Sequence, residues 1–364
     1  MTNRNFKQRR LSVCRGADSQ RGITIVELMI SMVLSLILIG GVIQVVTTSQ
    51  SSYRQLVQQA RLQETAKLAM DYIVRDIRMV GYWGCNANNI NIANSVETSA
   101  ASYFDPRNAL RGYDVGSSTM PADVAGDASA YDDIAADTDI VEMRLLSVDN
   151  AYTVASHSPS SAVIHLTGSF SGAAGDIMTL VDNNCSNIGI FAATPGTGSG
   201  GATNKVNHNS GGGGGIPVNN CTKDLRGEFD CDNAAGSVGD AYSEGSSLYR
   251  VDYVAYGIQP SNFGAGINAL WRIIPNEADI ELVEGVEDLQ VVYGLDTNAD
   301  GVVDRFATAK GIEDDGTLNF QQAIVLRIDV TTRSLDEVSG VGVLAEDFST
   351  SIFSTSIRLR NRGI

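Results

Sequence analysis

The most informative stretch of the chain is Arg21-Gly22-Ile23-Thr24-Ile25-Val26-Glu27-Leu28. It opens a run of 24 residues, 23–46, in which Glu27 is the only charged side chain. A helix of that length extends about 36 Å and can cross a hydrocarbon core of about 30 Å. A carboxylate inside such a segment is costly and needs a partner, so Glu27 is a candidate functional residue.

The segment that ends at Gly22 is short and basic. Residues 1–22 carry six Lys or Arg side chains against one acid, Asp18. The positive-inside rule therefore predicts that the start of the chain stays in the cytoplasm while the bulk is exported. An ordinary secretory signal is cut after its apolar region, whereas here a small residue precedes that region. Cleavage after Gly22 would supply the amino group of Ile23 as a partner for Glu27; the alternative is an uncut single-pass anchor.

These residues resemble the class III signal of type IV pilins and of type II secretion pseudopilins. The resemblance implies that prepilin peptidase cuts after Gly22 and methylates Ile23, and that Glu27 helps to dock the subunit into a filament. One departure is Ile23, because the family usually has phenylalanine at the first mature position.

Three further stretches resemble PilW-type minor pilins: Val74-Arg75-Asp76-Ile77-Arg78 with Gly81-Tyr82-Trp83-Gly84-Cys85, then residues 283–294, and the terminal Arg358-Leu359-Arg360-Asn361-Arg362. The resemblance implies an α+β pilin-like lollipop, in which a long N-terminal helix packs on an antiparallel β-sheet head. It also implies a minor pilin that primes pilus assembly at or near the pilus tip, and so supports twitching motility and adhesion. Its partners would be prepilin peptidase, other minor pilins, the major pilin and a PilY-type tip adhesin.

Two alternatives stay open beside that interpretation. One is a J-like minor pseudopilin of a type II secretion system, and the other is a membrane-tethered periplasmic adhesin or binding module. We expect no enzymatic activity, because the sequence lacks a G-x-S-x-G elbow, an H-E-x-x-H motif and a cysteine with a nearby histidine.

We predict a leader at 1–22, a transmembrane helix at 23–46, an amphipathic stalk helix at 47–82 and a β-rich periplasmic head at 83–364. Apolar residues recur at helical spacing until Gly81 and Gly84 end the pattern. Beyond Cys85 the period changes to two, which predicts half-buried antiparallel strands. These strands are marked by Val141/Met143/Leu145, Tyr249/Val251/Tyr253, Trp271/Ile273 and Ile324/Leu326/Ile328/Val330.

The charge of the exported part excludes one class of partner. The whole chain carries −16, and removal of the leader leaves 20 basic and 41 acidic side chains, a net charge of −21. Direct nucleic-acid binding is therefore not expected. We expect a single-pass inner-membrane protein with a periplasmic head, which moves to the pilus on the cell surface after assembly.

Four cysteines remain after the leader, and they allow three pairings. We predict Cys221 with Cys231, which closes a short loop, and Cys85 with Cys185, which attaches the middle of the chain to the end of the stalk. The competing interpretation is a zinc site, but the spacing contains no C-x-x-C and the three histidines lack metal-ligand spacing.

The sharpest local pattern is Asp296-Thr297-Asn298-Ala299-Asp300-Gly301-Val302-Val303-Asp304. It supplies ligand oxygens at loop positions one, three, five, seven and nine and a glycine at position six, as calcium loops do. The ligands would be Asp296, Asn298, Asp300, the Val302 carbonyl and Asp304. Position twelve is alanine rather than glutamate, so the alternative is a hairpin turn without an ion.

Three other patterns receive plainer interpretations. Residues 195–215 are rich in glycine and predict a mobile surface loop, because a phosphate-binding loop would need a Lys-Ser/Thr pair. The acids between Asp123 and Asp139 predict a solvated loop. The arginines at 358, 360 and 362 predict a solvated strand edge that resists pairing, with an acidic partner as the alternative.

Overall fold

The computed structural model describes residues 22–84, 90–97, 108–121, 127, 129–147, 151–196, 203–211, 218–229, 231, 239–264, 266–275, 277–335 and 349–361. The chain divides between Leu56 and Val57 into two compact units. Helix α1 spans Ile25–Ile77 and contributes to both units.

Between Ile25 and Val46, in the first unit, α1 is mostly apolar and its side chains are exposed on every face. A helix that is apolar all round requires an apolar environment, such as a membrane or the packed interior of an assembly. Among the described residues, α1 is the one helix long and apolar enough to span a membrane. Gly40 and Gly41 lie within it without interrupting it.

In the second unit, α1 becomes amphipathic, as the sequence predicts. Its buried apolar side chains lie three or four positions apart: Leu62, Ala66, Ala69, Ile73 and Ile77. The helix ends at Ile77, five residues before the predicted boundary at 82. Gly81 and Gly84, with φ of 78° and 81°, adopt the left-handed conformation in which glycine avoids a steric penalty.

Most described strands of the head belong to one large sheet. Eleven strands of the described residues form it: β1 (Asn91–Asn94), β2 (Leu110–Asp114), β3 (Asp139–Leu146), β4 (Tyr152–Ser158), β5 (Val163–Phe170), β6 (Ile177–Val181), β7 (Asn187–Ala192), β8 (Thr203–Asn207), β9 (Ser247–Pro260), β10 (Asn268–Ile273) and β11 (Ile280–Glu284). The long strand β9 is central, because β3, β4, β6 and β10 all pair with it. The pairs are antiparallel except β1 with β7, which is parallel.

A smaller antiparallel sheet follows. Its strands are β12 (Val286–Leu295), β13 (Arg305–Ala307), β14 (Ala323–Arg333) and β15 (Thr350–Arg358), in the order β13-β12-β14-β15. A short helix, α2 (Ala309–Asp314), lies between β13 and β14. One face of β14 presents Leu326, Ile328 and Val330, which share a hydrophobic core with Ala69 and Ile73 of α1. The coarse prediction of an α+β fold with a long N-terminal helix and antiparallel sheets is confirmed.

Two predictions about the head are wrong in part. Strand β3 is not half-buried, since all eight of its residues are buried. The predicted loop at 195–215 contains strand β8, because Val206 of this segment is buried against the apolar core around β5. The glycine-rich composition around β8 conceals a strand only five residues long.

Candidate functional site

The predicted processing residues lie at the start of α1. Gly22 is the first described residue, and Ile23 is exposed. The Thr24 hydroxyl accepts a hydrogen bond from the backbone N–H of Glu27 at 3.2 Å, so Thr24 caps the helix. Glu27 therefore occupies the third helical position, where a carboxylate also interacts favourably with the helix dipole. The T-x-x-E spacing of Thr24 and Glu27 is a capping signature that our interpretation of Glu27 as a docking residue had overlooked.

The end of α1 is attached to the centre of the large sheet. The Tyr256 hydroxyl on β9 donates a hydrogen bond of 2.7 Å to the Asp76 carboxylate, which is buried in the last turn of the helix. Burial raises the pKa of Tyr256, which keeps this hydroxyl a donor. Arg75 and Arg272 approach the same carboxylate at 3.4 and 3.9 Å. Asp76 thus joins two elements 180 residues apart in sequence.

One predicted disulfide is confirmed. Cys221 and Cys231 are bonded, with a Cα–Cα distance of 5.8 Å. The backbone N–H of Cys221 also donates to the Ser95 carbonyl at 2.8 Å, so the disulfide loop adjoins the segment after β1. Cys185 is disulfide-bonded as well. Cys85, its predicted partner, lies outside the described residues, and that pairing stays a prediction.

The acidic loop connects β12 to β13 and is organised by its own side chains. The Asp296 carboxylate accepts backbone N–H groups of Asp300 and Gly301 at 3.2 and 2.7 Å. The Asp304 carboxylate accepts the backbone N–H and the hydroxyl of Thr297, both at 2.8 Å. The hydrogen bond from the Thr297 backbone is the main reason why the pKa of Asp304 lies below its usual value.

Asn298 and Asp300 complete this arrangement. The Asn298 side-chain oxygen accepts the Asp300 N–H at 2.9 Å, and Asp300 accepts the Val302 N–H at 2.8 Å. Such bonds fold the loop without an ion, although a carboxylate retains further lone pairs. Within the described ranges, no three His, Cys, Asp or Glu side chains are grouped to hold a metal. The oxygen-only donor set suits calcium chemically, and calcium binding stays a prediction.

A charged pair that the alternation pattern did not predict lies inside the head. Glu142 and Arg144 on β3 are 0% and 1% exposed, and their side chains form an ion pair of 3.2 Å. The Tyr131 hydroxyl donates to the other Glu142 oxygen at 2.6 Å, and the Arg144 guanidinium lies over the Tyr253 ring. The ion pair, the tyrosine hydrogen bond and the contact with the aromatic ring offset part of the cost of burying the two charges.

Two histidines without metal-ligand spacing in sequence also meet. The Nε2 atoms of His157 and His208 are 3.1 Å apart, and the backbone N–H of Tyr242 donates to His157 Nδ1 at 3.1 Å. His157 must therefore carry its proton on Nε2 and donate to His208. Burial lowers the pKa of His157 to about 4 and that of His208 to about 3, so both rings are neutral at pH 7.

The acids between 123 and 139 do not all lie in a solvated loop. Asp139 begins β3, is buried and accepts the backbone N–H of Val291 at 2.7 Å. Its desolvation raises its pKa to about 7. The partial error has a simple cause, because composition does not reveal which acid of a run enters a strand. Asp123 lies outside the described residues.

Comparison with known families gives two matches, one at each end of the chain. The family described as Type IV Pilus-assembly protein W matches residues 256–351, from β9 into β15. The family described as Prokaryotic N-terminal methylation motif matches residues 18–43, which include Gly22, Ile23 and Glu27. No curated protein and no solved structure gives a significant match.

Proposed function

We propose that the chain, a type IV pilin of the PilW family, primes pilus assembly as a minor pilin and ends at or near the pilus tip. The observation that carries the proposal is the combination of a methylation-motif N-terminus with an exposed apolar helix and a β-rich PilW head in one chain. An apolar helix of this kind suits a membrane before assembly and the core of a filament afterwards.

The proposed mechanism begins in the inner membrane. Prepilin peptidase cuts after Gly22 and methylates Ile23, while residues 23–46 hold the subunit as a single-pass protein with its head in the periplasm. On assembly, the Ile23 amine and the Glu27 carboxylate set the register between neighbouring subunits, because a paired carboxylate is far less costly in an apolar core than an unpaired one. In the filament the chain adopts the lollipop arrangement of pilins.

The proposed partners follow from the proposed position of the chain in the pilus. They are the other minor pilins, the major pilin and a PilY-type tip adhesin, and the complex supports twitching motility and adhesion. The role is structural rather than enzymatic. The methylation motif alone would suit a type II secretion pseudopilin equally well. The PilW match supports the pilus instead.

Mass spectrometry of the mature N-terminus tests the first step. We expect a chain that starts at methylated Ile23 when prepilin peptidase is present and an intact leader when it is absent. Glu27→Ala should then reduce entry into sheared pili, whereas Glu64→Ala, which removes an exposed carboxylate from the same helix, should not. Retention of the leader in both strains, or equal entry of both variants, contradicts the proposal.

We also propose calcium as the ligand of the Asp296–Asp304 loop, where it would relieve repulsion among three carboxylates and order this part of the PilW segment. Calorimetry on the full mature chain in detergent should show heat of binding at millimolar calcium. Asp300→Asn should weaken the binding, and Asp315→Asn, outside the loop, should leave it unchanged. Absence of binding heat to the unaltered chain would leave the loop as an ion-free hairpin turn.

A further inference from the structure

Strand β15 forms one edge of the small sheet. It pairs with β14 on one side over nine consecutive residues, from Thr350 to Arg358, without a shift of register. In the described part of the chain, no strand pairs with its other side. The opposite edge of the same sheet is β13, which is only three residues long. Short edge strands are a known protection against unwanted pairing, and β15 lacks that protection.

Two hydrogen bonds establish which backbone groups of β15 face outward. The Leu359 N–H donates to the Ile324 carbonyl at 2.9 Å, and the Ser334 N–H donates to the Ser349 carbonyl at 2.8 Å. In an antiparallel pair, residues that exchange hydrogen bonds alternate with residues that do not. The odd-numbered residues of β15 therefore bond to β14. The N–H and C=O groups that point away from it belong to Thr350, Ile352, Ser354, Ser356 and Arg358, and all five residues are exposed.

The side chains of β15 do not block this edge. From Thr350 to Ile357 the strand contains no charged residue and no proline, and Ile352 is 70% exposed. From the three terminal arginines we predicted a solvated strand edge that resists pairing. Of these, only Arg358 lies in the strand. Its guanidinium donates a hydrogen bond to the Gly301 carbonyl at 2.9 Å. Arg360 follows the strand in a turn, and Arg362 lies outside the described residues. Within the ranges that the structure describes, β15 thus carries none of the usual devices that keep an edge strand single.

We infer that β15 is a strand-addition surface, at which an extended and uncharged segment of another pilus subunit pairs with the small sheet. A row of outward N–H and C=O groups is recognised by another extended backbone, with side chains providing specificity. The partner segment is uncharged at its centre because β15 offers no counter-charge between Thr350 and Ile357. The identity of the partner as a pilus subunit rests on the proposed function.

A second copy of this chain is a poorer occupant of the edge. The mature chain carries a net charge of −21, and two such molecules repel each other when their surfaces meet. A less acidic subunit does not have this cost. The inference therefore commits to a different chain.

Amide hydrogen exchange on the full mature chain in detergent provides the first test. The amides of Ile352, Ser354 and Ser356 should exchange faster than those of Phe353 and Thr355, by about tenfold or more. On co-assembly with the full-length minor pilins of its host, the first group should become protected. Slow exchange of both groups in the chain alone, or co-assembly without protection, overturns the inference.

Matched variants provide the second test. Ser354→Pro removes one outward N–H, and proline is tolerated where that group does not serve the sheet. Ser354→Thr changes the side chain but retains the N–H. Both should unfold at the same temperature, while only the proline variant should be depleted from sheared pili. If the proline variant does not fold, Ile352→Lys tests the same edge by placing a charge on it.

These outcomes distinguish a failure of the strand-addition surface from a failure of the proposed function. If the unaltered chain fails to enter pili, the proposed function fails. If it enters and both Ser354→Pro and Ile352→Lys enter equally well, only the strand-addition surface fails. Sedimentation of the purified chain as a dimer that Ser354→Pro abolishes assigns the edge to a second copy and overturns the choice of partner.

Discussion

Strands β3 and β14 have the same alternation of apolar and polar residues, but they lie in different environments. On β14, Arg327 and Asp329 alternate with buried residues and remain partly exposed, as one-sided burial predicts. On β3, Glu142 and Arg144 occupy the corresponding positions and are buried. A second apolar cluster that includes Tyr113 and Ile140 is present beside β3. The comparison teaches that alternation identifies a strand but does not tell whether its polar face meets water.

The largest effect is expected when the buried pair of Glu142 and Arg144 is broken. Arg144→Met leaves the Glu142 carboxylate buried without its cation, and the free energy of unfolding should fall by about 3–5 kcal/mol. Chemical denaturation of the full mature chain in detergent measures it. The double variant with Glu142→Leu should recover most of the loss, because it removes both charges together. A single variant as stable as the original chain would contradict the proposed energetic role of the pair.

Loss of the confirmed disulfide ranks next. Changing both Cys221 and Cys231 to serine opens a loop with a sequence separation of 10. The chain-entropy relation for a loop of this size predicts a loss of about 3 kcal/mol. Thermal unfolding compares the variant with the oxidised chain. An unchanged midpoint would contradict the predicted stabilisation by this disulfide.

The histidine pair adds a pH dependence to the region around β4 and β8. Both pKa values are lowered in the folded state, so the unfolded chain binds more protons as the pH falls below 6.5. The stabilisation that comes from the two neutral histidines is present above that pH. The free energy of unfolding should decrease by about 2 kcal/mol per histidine between pH 6.5 and 5. His208→Gln retains an acceptor for His157 but does not titrate, so its stability should fall less over this interval.

Asp139 also titrates, so the effect of the histidines can be isolated only by comparing His208→Gln with the original chain. Its pKa is raised to about 7, so its contribution to stability is present at low pH and is lost as the pH rises through that value. Acidification therefore changes the two sites in opposite directions. If the His208→Gln variant and the original chain lose stability equally between pH 6.5 and 5, His208 does not carry the predicted dependence.

The smallest effect is expected on the exposed side of β14. Arg327 is partly exposed and pairs with Asp329 at 3.1 Å. Arg327→Met should lower the free energy of unfolding by no more than about 1 kcal/mol. It is the matched control for Arg144→Met, since both remove an arginine from an alternating strand. A large loss at Arg327 would contradict the environmental difference between the two strands.

Local patterns predicted the parts of the molecule that local chemistry determines. Helix α1, strand β14 and the short Cys221–Cys231 loop each have periodicity or spacing within one stretch of chain. The β8 strand was missed because five ordinary residues lie inside a glycine-rich region. The prediction that β3 is half-buried failed because its second face is covered by residues outside the strand, including Tyr131 and Ile134, which alternation within the strand does not report.

The candidate functional contacts were predictable only in part for the same reason. The N-terminal motif is contiguous, so Gly22, Ile23 and Glu27 could be singled out directly. The histidine pair joins residues 51 apart, and the Asp76–Tyr256 bond joins residues 180 apart. Neither separation produces a repeat or a motif, so only the folded chain brings these groups together.

The Asp76–Tyr256 bond also has a mechanical consequence. In the proposed function the subunit is drawn out of a membrane, which would load its N-terminal helix in tension and pass that load to the head where the helix ends. Asp76 passes the force to β9, whose backbone is hydrogen-bonded to strands on both sides. Under the proposed function, this bond gives the tension a path into the paired strands of the large sheet in addition to the turn at Gly81 and Gly84.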